Sequence, residues 1–199
     1  TYGDVKRLGA LYGEAVRRPE IAILSVGTRP DCLSPEILDM LGDLRKVKPV
    51  WVELGLQTVH EPSVAYIRRG YVNQVYFDAV HRLKEAGMEV VTHIILGLPG
   101  ETVQMAAQTT RAAVEAGTDG VKFHLLHVLK NTDLETDYLT GKLDGLSFAR
   151  RVMTICEHYP RPVVDCLMNS LSTHDTPRIL NRLGAEFIPP RAMQADNYL

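Results

Sequence analysis

The chain has 199 residues, 45% of them hydrophobic and 23% charged, with a formal net charge of −2. That length suits one domain with a substantial core. The near-neutral balance, with no basic cluster, gives no strong nucleic-acid signal, and no apolar run reaches the roughly eighteen residues of a membrane-spanning helix. The opening TYGDVKRLGA lacks a signal-peptide pattern. Cys32, Cys156 and Cys166 are odd in number and far apart, so no disulfide framework is expected and the chain reads as cytoplasmic. It opens on Thr1 rather than Met, which reads as a fragment or a processed product. Nothing in the sequence speaks to oligomeric state.

In chain order, residues 1–18 carry Val5, Leu8, Leu11, Tyr12 and Val16 at helical spacing, stopped by Pro19. Ile21 to Val26 is a short apolar strand, and Gly27 to Asp31 a loop. Ser34-Pro35 starts a helix, with serine as cap and proline in the first position; Ile37, Leu38, Leu41 and Leu44 share one of its faces. Val50 to Leu56 is a second strand, followed by a polar loop around Glu61-Pro62. A helix from about Asn73 buries Val75, Tyr76, Ala79, Val80 and Leu83 and ends at Gly87. Val90 to Leu96 is a third strand. It breaks into Gly97-Leu98-Pro99-Gly100 before a helix from about Thr102 to Gly117. Val121 to Val128 is a fourth strand. Strands alternating with helices predict a parallel sheet covered by helices. A part of a TIM-type (β/α) barrel is the first expectation and an open doubly wound sheet the second.

Side chains alternate faces along a strand. In the second strand Val52, Leu54 and Leu56 form an apolar face, opposite Trp51, Glu53, Gly55 and Gln57. In the third, Val90, Thr92, Ile94 and Leu96 oppose Val91, His93, Ile95 and Gly97; in the fourth, Val121, Phe123 and Leu125 oppose Lys122, His124 and Leu126. In the first, Ala22, Leu24 and Val26 oppose Ser25, Gly27 and, past the strand, Arg29. The polar faces collect Ser25, Gly27, Arg29, Glu53, Gly55, Gln57, His93, Gly97, Lys122 and His124. Each alone is an ordinary core residue or ion-pair partner. Together they place two cations and two acid–base groups on one face, which is costly without a network or a ligand. A ligand pocket is expected there, toward the C-terminal ends of the strands. Neither phosphate-binding glycine fingerprint is present, and no histidines and cysteines have zinc spacing.

Four blocks carry a resemblance. They are Ser25 to Cys32 (SVGTRPDC), Trp51 to Thr58 (WVELGLQT), His93 to Glu101 (HIILGLPGE) and Lys122 to His127 (KFHLLH). In that order they resemble the radical SAM superfamily, and most closely an uncharacterised bacterial subgroup related to elongator-type radical SAM proteins, over about residues 1–146. The resemblance implies a partial (β/α) barrel binding S-adenosyl-L-methionine and a [4Fe–4S] cluster. Reductive cleavage of the cofactor then gives a 5′-deoxyadenosyl radical that abstracts hydrogen from a substrate. By the same resemblance the cofactor contacts are Arg29, Glu53, Gly55, Gln57, His93, Gly97, Pro99, Gly100, Lys122 and His124. Small-molecule cofactor binding is thus the expected partnership. The family's cluster ligands are three cysteines in a C-x₃-C-x₂-C motif, which the 199 residues do not contain. The sequence therefore reads as a chain truncated at its N-terminus and inactive alone in radical chemistry, with catalytic residues unassigned and no metal ligands expected.

Beyond Leu146 the character changes, so residues 147–199 are expected to form a helical and loop segment distinct from the barrel part, 1–146. A helix is expected over Phe148 to Tyr159, an apolar stretch over Val163 to Leu171, and a loop over Ser172 to Pro177. Leu167 to Arg178 (LMNSLSTHDTPR) resembles a strand-loop motif of the α-amylase glycoside hydrolases, where Asp175 would steady a cationic transition state and His174 would bind sugar. As a helix cap, Asp175 needs no such role. Two alternatives to the radical SAM reading therefore stand: a glycosidase-like fragment and a non-catalytic βα scaffold.

Overall fold

The computed structural model of the chain describes residues 1–143. The tail expectations, Asp175 and His174 included, and the boundary near residue 146 lie outside the described residues. Two compact units are present among the described residues: Thr1–Ile94 with Ala107–Lys122, and Ile95–Ala106 with the described residues from Phe123.

Ten regular elements follow the expected alternation: α1 (Val5–Arg17), β1 (Leu24–Thr28), α2 (Pro35–Arg45), β2 (Val50–Gln57), α3 (Glu61–Tyr66), α4 (Asn73–Glu85), β3 (Glu89–Leu96), α5 (Val103–Glu115), β4 (Gly120–Leu125) and α6 (Asp133–Leu139). The four strands form one sheet in the order β1-β2-β3-β4. Both β1–β2 and β2–β3 are parallel. Strands that neighbour one another in chain order, without reversal, are consecutive staves of a (β/α) barrel; a doubly wound sheet would reverse at a switch point.

The helices start and stop for local reasons. Asp4 caps α1 by accepting from the Arg7 amide at 2.8 Å, and Ser34 caps α2 through the Ile37 amide at 3.4 Å, with Pro35 at the first position. Gly87, at φ +74°, is the left-handed residue that lets the chain leave α4 for β3. In the first unit, Val16, Ile37, Leu41 and Leu44 close over the helix side of the sheet with Tyr76, Val80 and Leu83, against Val52, Leu54, Leu56, Val90 and Ile94. The hydroxyls buried there are paired: Tyr76 Oη lies 2.6 Å from Thr92 Oγ1, which lies 2.9 Å from Thr118 Oγ1. Along β2 the apolar residues are buried and Trp51, Glu53, Gly55 and Gln57 are not, as alternation requires.

Some expectations need correction. The first strand is Leu24–Thr28, not Ile21 to Val26. The Lys48 ammonium takes the carbonyls of Arg18 and Ile21, so the sheet begins only where the Leu24 amide reaches Pro49 O at 3.0 Å. Gly27 and Thr28 extend the strand because β2 supplies Glu53 and Leu54 beside them. The expected loop after it holds a single 3₁₀ turn, Pro30–Cys32. The polar loop around Glu61-Pro62 contains α3, whose six residues are too few to display a helical period. The fourth strand ends at Leu125 rather than Val128, and Val121 is only half buried. Helix α6, not foreseen, is capped by Thr132, whose Oγ1 accepts from the Glu135 amide at 3.2 Å, while Glu135 Oε2 accepts from the Asn131 amide just before the cap at 2.8 Å.

Candidate functional site

On the face of the sheet away from the helices, the first unit gathers Ser25, Glu53, His93 and Lys122. Glu53 sits at the middle because of register. Its Cα partner on β1 is Gly27, while Ser25 pairs with Trp51 and His93 with Gly55. Ser25 and His93 are therefore diagonal neighbours of Glu53, one on each side, within reach of its carboxylate. Ser25 Oγ donates to Glu53 Oε1 at 2.7 Å. His93 Nε2 and Lys122 Nζ both meet Oε2, at 2.5 and 3.1 Å. Lys122 reaches across β3 from β4 to do so.

Three donors on a carboxylate that is only 19% exposed fix its charge. Burial pushes the Glu53 carboxyl up, but hydrogen bonds from Ser25, Lys122 and His93, with the lysine's charge, more than reverse it and hold it at about 2. Glu53 is a fixed anion at neutral pH. A carboxylate has about four acceptor positions, and three are filled, so about one remains for a ligand donor. The neighbouring space is open: a Cβ built on Gly27, directly beside Glu53, would meet no atom within 4 Å.

A second cluster stands at the C-terminal ends of β1 and β2. The register of β2 against β3 shifts between Gly55 and Gln57, and Gln57 has φ +68°, a conformation costly for any residue with a side chain. Buried Arg69 holds this strand end. Its Nη1 donates to Leu56 O at 2.8 Å and Thr58 O at 2.9 Å, and its Nη2 to Tyr71 O and Asn73 Oδ1 at 2.8 and 2.9 Å. Tyr71 Oη donates to Gly55 O at 2.6 Å. Arg69 lies against the Tyr71 ring, 4.5 Å from its centroid, and Arg29 lies 5.1 Å from the same centroid. Arg29 in turn forks onto Asp31, at 2.9 Å from Nε and 2.7 Å from Nη2. Gly55 is closely approached: a Cβ there would stand 2.5 Å from Gln57 Nε2, so the glutamine side chain would have to move, and 3.3 Å from the Tyr71 hydroxyl.

The structure thus brings Glu53, His93 and Lys122 together, and Arg29, Gly55 and Gln57 into the second cluster. Ser25 belongs to the first, as strand alternation indicated. Arg69, Tyr71 and Asn73 were missed by sequence reasoning. They lie between and at the start of helices, where no periodicity marks a residue, and the only local signal is Gly70 between an arginine and a tyrosine.

Gly97, Pro99, Gly100 and His124 lie in the second unit. Gly97 and Gly100 have φ +84° and +80°, and the Glu101 amide closes the turn onto Leu98 O at 3.0 Å. Thr102 Oγ1 then accepts from the Met105 amide at 3.3 Å as α5 begins. His124 is half buried on β4. Nearby in sequence, burial pushes the His127 imidazole down.

The donor set fits part of what the resemblance implies. Glu53 can accept from a hydroxyl or ammonium group, and bare backbone at Gly27 leaves a ligand room beside it. It does not fit an iron–sulfur cluster, which needs several thiolates. Cys32 is the one cysteine among the described residues, and no group of three or more histidine, cysteine or acidic side chains there could hold a metal. No helix among the described residues is long and apolar enough to cross a membrane.

Comparison with known proteins gives a consistent result. The family model described as "Radical SAM superfamily" matches residues 2–113. YtqA of Bacillus subtilis (strain 168) is 37% identical over 157 residues, covering 79% of this chain and 49% of that protein. YhcC of Escherichia coli (strain K12) is 36% identical over 168 residues, covering 82% and 54%. The chain spans about half the length of these curated relatives. Among solved structures, the archaeal Methanocaldococcus infernus Elp3 with an N-terminal deletion matches with a TM-score of 0.62 at 18% identity, covering 88% of this chain and 46% of that one, which supports the partial-barrel fold. The α-amylase likeness of the tail finds no support. Matches covering 79% and 82% of the chain cannot stop at residue 146, so the kinship runs on past the boundary expected there. With its four blocks, its sheet order and the family match in agreement, the chain belongs to the radical SAM superfamily.

Proposed function

We propose that this chain forms the cofactor-facing part of a radical SAM enzyme's barrel, and that Glu53 contacts bound S-adenosyl-L-methionine. The observation that carries this reading is the pinned carboxylate. Side chains from three other strands hold Glu53 ionised on the inner face, beside open space at Gly27. Its remaining acceptor position suits a ribose hydroxyl or the cofactor's ammonium. Lys122 and His93 orient the carboxylate, and Gly55 and Gln57 shape the strand end next to it. The proposed contacts of Gly97, Pro99, Gly100 and His124 rest on the family resemblance alone.

The cofactor, when bound beside a reduced cluster, supplies hydrogen-abstraction chemistry in this superfamily. The residues of this chain do not supply the cluster's thiolates, and no step through that group is derived. For a complete activity those ligands must come from beyond these 199 residues, so the chain alone is proposed to be inactive in radical chemistry. A cytoplasmic location belongs to the same proposal.

Calorimetric titration of the full chain with S-adenosylhomocysteine tests the cofactor reading. Saturable binding, weakened about tenfold or more in Glu53→Gln, is expected, since a charge-assisted hydrogen bond is lost. Absence of binding at millimolar ligand, or equal affinity in the variant, would overturn it. Anaerobic reconstitution followed by iron analysis tests the cluster statement; a stoichiometric cluster on this chain would refute it.

A further inference from the structure

Away from the open face of the sheet, the first unit carries a groove that the proposed function does not use. It runs between α1 and α2 and holds about 460 Å³. Its floor is apolar: Val5 and Val16 line it from α1, and Met40, Leu44 and Val47 from α2 and the turn after it. Val16 and Leu44 also belong to the core, whereas Val47 is 58% exposed. A single exposed valine is ordinary, but this one extends a concave apolar floor, which is the form of a docking site.

The rim is charged, and unevenly. Lys6 and Arg17 line it from α1, and Asp43 from α2. Asp43 is already taken by Lys46, at 2.7 Å. The acid nearest Arg17 along α1, Glu14, lies 3.3 Å from Arg18 instead. Among the described residues no carboxylate pairs with Lys6 or Arg17. Arg17 bends back along its own helix: a Cβ built on Gly13 would stand 3.2 Å from Arg17 Nη2. Its guanidinium therefore stands beside Gly13, and two turns of helix, about 10 Å, separate that position from Lys6.

An apolar floor with two unpaired cations two turns apart suits one kind of partner. A nucleic-acid backbone makes no use of the floor, and a bilayer needs an apolar surface that protrudes. Two copies of this chain meeting groove to groove would bring the cations of both onto one small face. A helix fits: the groove between two helices is filled by the ridge of a third, and carboxylates two turns apart on that helix meet Lys6 and Arg17.

We propose that the α1–α2 groove docks an acidic amphipathic helix of a separate protein, its apolar stripe on the floor that ends at Val47 and two of its carboxylates on Lys6 and Arg17. The probe is a labelled synthetic peptide of about eighteen residues, with leucines along one face and glutamates flanking them, beside a counterpart with lysine for glutamate. Fluorescence anisotropy with the full chain is expected to show saturable binding of the acidic peptide, and binding of the basic one weaker by about tenfold or more. The double variant Lys6→Glu, Arg17→Glu, checked by circular dichroism for fold, is expected to reverse that preference. Val47→Asp, at an exposed position, is expected to weaken the acidic peptide about tenfold or more, and carries the test alone if the double variant loses its fold. A wild-type chain that binds neither peptide, or both alike, overturns the proposal, as does an acidic-peptide affinity unchanged in either folded variant. Sedimentation equilibrium checks the rival occupant. A wild-type dimer that Val47→Asp dissolves gives the groove to a second copy and overturns the proposal; a monomer at the concentrations that bind peptide supports it.

Discussion

Replacing Glu53 by glutamine tests the electrostatics of the inner face in one step. The glutamine keeps the shape but not the charge, and leaves Lys122 without its carboxylate. The Glu53 carboxyl is held at about 2 instead of its ordinary 4.5. That difference corresponds to about 3 kcal/mol of native-state preference for the charged form at neutral pH. Because the face is open on one side, about 2 to 3 kcal/mol is the expected loss in Glu53→Gln at pH 7. The sign follows from a depressed folded value. The contribution is fully present above 4.5 and is lost as pH falls through about 2. The gap between wild type and variant should therefore narrow to about 1 kcal/mol by about pH 3. Urea unfolding followed by fluorescence reads it well, because the chain's single tryptophan, Trp51, lies two residues from Glu53 on the same strand. Circular dichroism serves as the second probe of two-state behaviour. Equal midpoints at pH 7, or a gap that does not close on acidification, would show that Ser25, His93 and Lys122 do not stabilise the anion.

Other substitutions probe the frame that carries the site. Thr92→Val should cost about 1 to 3 kcal/mol by leaving the buried Tyr76 hydroxyl without its partner at 2.6 Å; an unchanged denaturation midpoint would show that the hydroxyl finds another. Gly87→Ala places a Cβ at φ +74° and 3.4 Å from the Arg45 guanidinium, and thermal unfolding should show a loss of about 1 to 2 kcal/mol. Leu54→Ala, at a position with no exposed surface, should lose about 2 to 5 kcal/mol in the same measurement.

Much of the fold was legible because its signals are local and periodic. Val52, Leu54 and Leu56 alternate with Trp51, Glu53, Gly55 and Gln57, and the pleat turns that alternation into a buried and an open face. Serine before proline, and glycine after a helix, mark ends by their backbone preferences alone. The start of β1 was not legible, because a lysine more than twenty residues away, Lys48, bears on it by taking two carbonyls from the connector. The same holds for the site. Strand alternation named Ser25, Glu53, His93 and Lys122 as one face, but not that three of them would converge on a single carboxylate; that depends on register, which the sequence does not display. Arg69 and Tyr71 act through a strand bulge and a stacked ring, and neither leaves a period to read.

The two faces of β2 also separate two kinds of evolutionary freedom. Residues toward the helices answer to packing, so they tolerate only apolar side chains of similar volume, whatever the molecule binds. Residues toward the open face are free of that packing constraint, and under the proposed function they answer to a bound cofactor instead. Along Val50–Gln57 a saturation library scored twice, once for abundance and once for cofactor retention, should give two sawtooth traces one residue out of step. Glu53, whose pinned charge bears on stability and is proposed to meet the cofactor, should be the point where they meet.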